Sequence, residues 1–380
     1  MPLASMDETQ KTKISNTNQR ELTCPSCAGN LVYAPGTNLM RCEHCGAEVE
    51  ITDEPVENIE ELDFEAYIEN NIGSIETQTL HTVRCKSCGA HVSLAENVTS
   101  DRCPFCSSIL VVTDTISETQ IKPGLLLPFD LDNQEATERF KRWIAGLWFA
   151  PSKLKTLATP NAIAGIYIPY WTFDADTYTT YSGQRGDNYT TTIPVVRNGR
   201  TEHQTVVRTR WRGVSGAVDV QFDDMLVTAS NSLTQKEANA LEPWDLEQAV
   251  SYNEMYLSGY RTEAYQVDLQ QGFGLAQKRM DTAIRNEIHR DIGGDHQRIH
   301  HHSTNYSNIT FKHALLPVYI SSFRYKNKVF RFLINARTGR VYGQRPYSTL
   351  KIMGAILLIA AIAWLFWYIS GLQTPTTTTF

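Results

Sequence analysis

The chain has 380 residues, 42% hydrophobic and 20% charged, which is enough for two or three domains with a sizeable core and excludes wholesale disorder. Its formal charge of −6 excludes a protein that coats nucleic acid by bulk electrostatics. That average hides a split. Residues 1–122 carry 8 basic and 19 acidic side chains, a net of −11, and the remainder carries 27 and 22, a net of +5.

All eight cysteines precede residue 107, whereas a disulfide-stapled secreted chain would spread them. The opening Met1-Pro-Leu-Ala-Ser-Met-Asp-Glu has neither a charged n-region nor an apolar run. The expectation is therefore no signal peptide, and thiols held in a reducing cytosol. Cys24-Pro-Ser-Cys27 and Cys42-Glu-His-Cys45 are separated by fourteen residues, as are Cys85-Lys-Ser-Cys88 and Cys103-Pro-Phe-Cys106. The second set follows the first at an offset of 61, which reads as an internal duplication.

A C-x-x-C turn aims two sulfurs at one point and leaves backbone N–H groups for the thiolates, so two such knuckles complete a tetrahedral site. The small residues Ala28, Gly46, Gly89 and Ser107 follow the knuckles, as a tight turn requires. The apolar runs 31–33, 49–51, 91–94 and 109–112 predict the strands of three-stranded ribbons. Zinc is the expected ion at Cys24, Cys27, Cys42, Cys45 and at Cys85, Cys88, Cys103, Cys106, with iron as the alternative. Four thiolates leave no open position, so both sites are expected to be structural, each with a formal charge of −2. His44 reads as an exposed neighbour rather than a ligand. Zinc ribbons that bind nucleic acid present a basic face with aromatics. Here Arg20, Arg41, Arg84, Lys86 and Arg102 are diluted among acids, which favours protein contact.

The predicted architecture is α+β: two small four-cysteine zinc ribbons at 20–52 and 81–113, a mixed strand-rich α+β domain at 120–348, and one C-terminal transmembrane helix at 352–369. Between the ribbons, the acidic segment 53–80 places Leu62, Phe64, Tyr67 and Ile68 for a short amphipathic helix, read as a solvated linker with partner docking as the alternative. Residues 123–128 predict an extended segment, and Ala136, Phe140, Ile144 and Leu147 a helical face from about residue 134. Strands are expected over 166–173, 177–181, 190–196, 205–211 and 218–228, with glycine-rich turns between them. A second helix is predicted over 273–292, ended by Gly293-Gly294, and a hairpin over 315–325 and 329–334. Asn335-Ala-Arg-Thr-Gly339 reads as a turn.

Arg208, Arg210 and Arg212 alternate along one predicted strand, so their guanidinium groups share a face about 7 Å apart. They could meet lipid headgroups or phosphates, but a solvated face paired with Asp219, Asp223 or Asp224 is the favoured reading. His300-His-His302 cannot converge on a metal by itself on a strand. Glu242-Pro-Trp-Asp245 reads as a turn with Asp245 as a helix cap. Residues 352–369 run without a charge, and Trp364, Trp367 and Tyr368 suit an aromatic belt. Arg340, Arg345 and Lys351 precede this span and 373–380 carry no charge, which puts the N-terminal bulk in the cytoplasm by the positive-inside rule. The sequons at Asn97, Asn188, Asn305 and Asn308 are then chance matches.

The Cys24 and Cys103 knuckles resemble those of a bacterial family with duplicated transcription-factor-IIB-type zinc ribbons, often labelled primosomal protein N′ or replication factor Y superfamily II helicase. Phe149-Ala-Pro151, Ile168-Pro-Tyr-Trp171, Glu242-Pro-Trp-Asp245, Thr310-Phe-Lys-His313, Leu315-Leu-Pro-Val318 and Asn335-Ala-Arg-Thr-Gly339 extend the likeness from about residue 20 to 350. The resemblance implies the architecture. It does not carry the helicase label, since the sequence has no G-x-x-x-x-G-K-[ST] loop for phosphates and too little chain for two ATPase lobes. The expected function is a membrane-anchored, cytosol-facing scaffold or protein-interaction module without catalysis. A nucleic-acid-binding ribbon protein of replication or transcription is the alternative, and an enzyme built from scattered residues of 123–348 the third reading. Partner identity and oligomeric state are not set by the sequence.

Overall fold

A computed structural model describes residues 22–52, 61–70, 76–93, 100–111, 115–151, 163–197, 200–326 and 328–372. Arg20, Leu94, Asn97, Val112, residues 53–60 and 71–75 of the acidic segment, and the tail 373–380 lie outside these ranges.

The first ribbon is β1 (Leu31–Ala34), β2 (Leu39–Cys42) and β3 (Glu48–Glu50), an antiparallel sheet in that order. β4 (Leu62–Asp63) and α1 (Phe64–Asn70) follow. In the second module β5 (Thr77–Arg84) lies between β6 (His91–Val92) and β9 (Thr115–Ile121), while β7 (Ser100–Arg102) and β8 (Ile109–Val111) form a separate pair. Among the described residues β6 and β7 are not paired, so the expected three-stranded ribbon is not seen as one sheet here. β5 and β9 pair from Thr77–Ile121 through Val83–Thr115, and β5 pairs with β6 through Val83–Val92 and Arg84–His91. The β7–β8 register still matches β2–β3 at an offset of 61: Leu39 pairs with Glu50 and Ser100 with Val111.

Next come β10 (Leu125–Leu126), α2 (Asn133–Ala145), β11 (Ala164–Arg197) and β12 (Arg200–Thr228). They are followed by α3 (Gln235–Leu241), β13 (Val250–Ser251), β14 (Arg261–Thr262), α4 (Leu269–Ile292), β15 (His296–Tyr325), β16 (Lys328–Asn335), β17 (Val341–Gly343) and α5 (Thr349–Leu372). The main sheet runs β12-β11-β15-β10-β13, and β16 continues from the C-terminal half of β15. Asp132 and Asp268 cap α2 and α4, accepting from Glu135 N at 2.7 Å and Gln271 N at 2.8 Å.

The separate short strands expected over 177–228 are two long ones. The expected turns do not form because their glycines serve close approach within straight strands, not a change of direction. A Cβ on Gly183 would lie 2.3 Å from Arg298 O, one on Gly186 2.8 Å from Thr209 Cγ2, and one on Gly216 2.7 Å from Tyr181 Oη.

Strand periodicity explains how both ribbons join the body. On β11, Ile166, Ile168 and Tyr170 face a core shared with Val83, Phe105 and Leu110 of the second ribbon. Tyr167 faces the opposite core, shared with Leu31, Tyr33 and Met40 of the first. On β15, Leu316 and Val318 divide in the same way from Leu315 and Tyr319. The two ribbons thus cover opposite faces of one sheet, and a strand buried on both faces reads as a near-continuous apolar run. A third core lies under α4, where Phe273, Ala276, Met280, Ile284 and Ile288 meet Trp171, Phe173 and Phe311.

The acidic helix is not a solvated linker. Leu62 and Asp63 pair with Phe311 and Thr310 of β15, and Phe64 packs 4.7 Å from the Phe273 ring and Tyr67 5.6 Å from that of Phe311.

Candidate metal centres

All four knuckles repeat one backbone pattern. The N–H of the first cysteine donates to the carbonyl five residues on (Cys24 to Gly29, Cys42 to Ala47, Cys85 to Ala90, Cys103 to Ser108) at 2.7–2.8 Å. The N–H four residues on returns to the carbonyl of that cysteine (Ala28, Gly46, Gly89, Ser107) at 2.8–3.0 Å. The returning residue has a φ of +57° at Ala28, +73° at Gly46, +80° at Gly89 and +59° at Ser107. This left-handed turn is why small residues stand there.

The turns bring Cys24 Sγ within 3.6 Å of Cys45 Sγ and Cys27 Sγ within 3.5 Å of Cys42 Sγ. In the second site Cys85–Cys106 and Cys88–Cys103 are both 3.6 Å apart. Within each group the sulfurs lie within 4.8 Å of one another. A tetrahedron with Zn–S bonds of ~2.3 Å has S–S edges of ~3.8 Å, so both groups fit zinc. Bound there, zinc supplies a crosslink with no open position for chemistry. The backbone N–H of Cys45 holds the Cys42 thiol below its ordinary range, and hydrogen bonding from Cys103 lowers Cys88 to about 5. The centres differ in exposure: Cys27 and Cys45 are exposed, whereas Cys85, Cys103 and Cys106 are buried and Cys88 half-buried. His44 is exposed and outside the sulfur group.

The second site is clamped to the sheet. Ser107 Oγ lies 2.7 Å from Ser322 Oγ, Arg331 Nε donates to Phe105 O at 2.9 Å, and Arg261 pairs with Asp101. Between this ribbon and the start of α4 is a cavity of about 750 Å³, where His91 Nδ1 lies 3.2 Å from Glu118 and Gln120 Nε2 donates to Tyr265 O. Behind it Glu263 is 1% exposed, and burial raises its carboxyl to about 7 despite bonds from Ser232 and Gln266.

Arg208, Arg210 and Arg212 are exposed on β12, opposite Tyr189, Asp187 and Arg185 of β11. Asp219, Asp223 and Asp224 lie on the same strand as the arginines, so they are not cross-strand partners. Asp187 is, at 3.3 Å from Arg212. Among the described residues, the other group with metal-like spacing is Asp174, Asp223 and Asp224. Lys312 Nζ already sits there, 3.2 Å from Asp224 and 3.8 Å from Asp174. The histidines do not converge: His302 Nε2 is held by Asp281 at 2.6 Å, and His300 and His301 are exposed. Asp245 makes no cap bond and pairs with Arg337 at 3.0 Å, while Glu242 holds Arg279 through both carboxylate oxygens at 2.7 and 2.9 Å.

An exposed aromatic pair stands at the junction with α5, without a functional motif in the sequence to mark it. Trp148 is 82% exposed and Phe149 45%, and the Phe149 carbonyl accepts from Ser348 N at the start of α5. Lys351 Nζ donates to Ala150 O at 2.7 Å, fastening the same junction. The available signal was the adjacent aromatic pair following an amphipathic helix.

The chain is thus a strand-rich α+β protein which, among the described residues, has two four-cysteine groups that fit zinc and one helix long and apolar enough to cross a membrane. It is 25% identical over 338 residues to "Uncharacterized protein YdjG" of Bacillus subtilis (strain 168), covering 87% of this chain and 91% of that protein. No family model and no solved structure matches it.

Proposed function

We propose that the protein is a membrane-anchored, cytosol-facing scaffold that holds a protein partner at the bilayer through its cysteine ribbons. The observation that carries this reading is α5. Its 21-residue span Thr349–Ile369 has none of its apolar window buried, and Met353, Ile356, Leu357 and Ile359 are all more than half exposed. Twenty-one residues at ~1.5 Å per residue reach roughly 32 Å, the depth of a hydrocarbon core. Trp148, Phe149 and Tyr347 gather at the start of the helix, and Trp364, Trp367 and Tyr368 towards its end. Aromatics at both ends suit the two headgroup layers, and Arg340, Arg345 and Lys351 on the body side favour a cytosolic body. Closed four-thiolate sites favour structural support for recognition over catalysis.

The test is proximity labelling of intact cells, followed by fractionation. A partner that sediments with membranes beside the full chain is expected in the soluble fraction beside a chain ending at Ser348. No partner changing fraction would sink the proposal.

A further inference from the structure

The long hairpin outruns the rest of the sheet. β15 ends its pairing with β11 at His296–Gly186, whereas β11 and β12 remain paired to Arg197–Arg200. Eleven residue pairs, Asp187–Arg210 through Arg197–Arg200, therefore form a two-stranded arm, roughly 35 Å long at ~3.3 Å per residue. Along one face stand Arg212, Arg210 and Arg208, with Arg185 opposite Arg212. Asp187 binds Arg185 at 2.9 Å and Arg212 at 3.3 Å, and the Arg210 guanidinium lies 5.1 Å from the Tyr189 ring centre. Among the described residues no carboxylate is in ion-pair contact with Arg208 or Arg210.

The geometry points to this arm as a binding element for the phosphate backbone of duplex DNA, with Arg208 and Arg210 on the arm and Arg212 at its root as the phosphate contacts. A two-stranded ribbon fits the ~12 Å major groove of B-form DNA, whereas the A-form major groove is too narrow to admit one. Guanidinium groups repeating every ~7 Å on a stiff strand match a linear array of phosphates, each taken by paired N–H donors. Lipid headgroups of the anchoring bilayer fit less well. α5 starts beside Phe149, close to Phe323 at the other end of β15, and His296 to Phe323 is roughly 90 Å of strand at ~3.3 Å per residue. The surface field of a bilayer entered at that end falls off within a Debye length of ~8 Å at physiological salt.

The full chain in neutral phosphatidylcholine nanodiscs would be titrated against a fluorescein-labelled 20-base-pair DNA duplex, read by anisotropy at 50 and 200 mM KCl. Binding that weakens steeply with salt is expected. Replacing the three arginines together by Gln should weaken it roughly 10- to 100-fold and flatten the log–log salt slope by about 2 to 3, whereas the triple Lys variant should keep most of it. Equal metal content in all three proteins would show that the fold is intact. No binding at 50 mM KCl, or equal binding by the Gln variant, would overturn the assignment. So would loss of capture by phosphatidylglycerol vesicles in the Gln variant with duplex binding unchanged, since the arginines would then serve a lipid surface. The partner's membrane recruitment is a separate readout, so failure here leaves the scaffold reading standing, and the reverse also holds.

Discussion

At the residue scale the two four-cysteine groups are built alike but differ in shielding. Cys27 and Cys45 face solvent, and the second set is mostly buried under the sheet. The protein is expected to hold two zinc ions per chain, and a competing chelator should take the first from the Cys24 site, in a biphasic release read by a colorimetric indicator. Cys27→Ser should abolish the fast phase and leave one ion; monophasic release of both would contradict the difference in burial. Glu263 sets a pH dependence. Its carboxyl rises from 4.5 to about 7 in the fold, chiefly by burial. Below pH 4.5 both folded and unfolded states hold the proton; between 4.5 and 7 only the folded state does, so stability falls across that window and stays low above it. Glu263→Gln should therefore match the wild type near pH 4 and exceed it by on the order of 3 kcal/mol above pH 7, measured by urea unfolding in detergent. A constant difference across pH would refute the assignment.

At the scale of elements, α4 and the long strands depend on close approach. Gly272 lies in the first turns of α4, where a Cβ would sit 2.6 Å from Cδ1 of the fully buried Trp171. Alanine inside a helix is ordinarily favoured over glycine by ~0.5–1 kcal/mol. Here the indole is held by its Nε1 bond to Val267 O at 2.9 Å, so Gly272→Ala is expected to cost about 1–3 kcal/mol by overpacking. A raised melting temperature for this variant would show that the indole can yield. The cysteine knuckles were legible from sequence because four residues and one left-handed turn define them. The 34-residue β11 was not, because the glycines at 183 and 186 carry the same local signal whether they turn the chain or admit a neighbour.

At the scale of the whole molecule, polarity is reorganised. The acidic ribbons do not hang from the body as a separate end; they cover its two faces, with the apolar helix α5 at one end of β15 and the arginine arm at the other. A charge at the centre of α5 costs ~2.5–3.5 kcal/mol in a bilayer. Ile359→Lys should accordingly lower the fraction of protein resisting carbonate extraction, with metal content unchanged. An unaltered fraction would mean that α5 is not what holds the protein to membranes.

Local sequence was enough to specify the two four-cysteine groups, the turns that carry them, the apolar span at 352–369 and the helical faces of α2 and α4. Each depends on residues within a few turns of one another. Long-range packing set the rest: Asp187, not Asp219, meets Arg212, Asp245 pairs with Arg337, and Phe64 and Tyr67 dock on Phe273 and Phe311. The net charge and the clustered cysteines pointed to an acidic module set apart from a basic one. Pairing register and burial, which join residues more than a hundred positions apart, instead wrapped that module around the sheet and carried the basic stripe out along the arm.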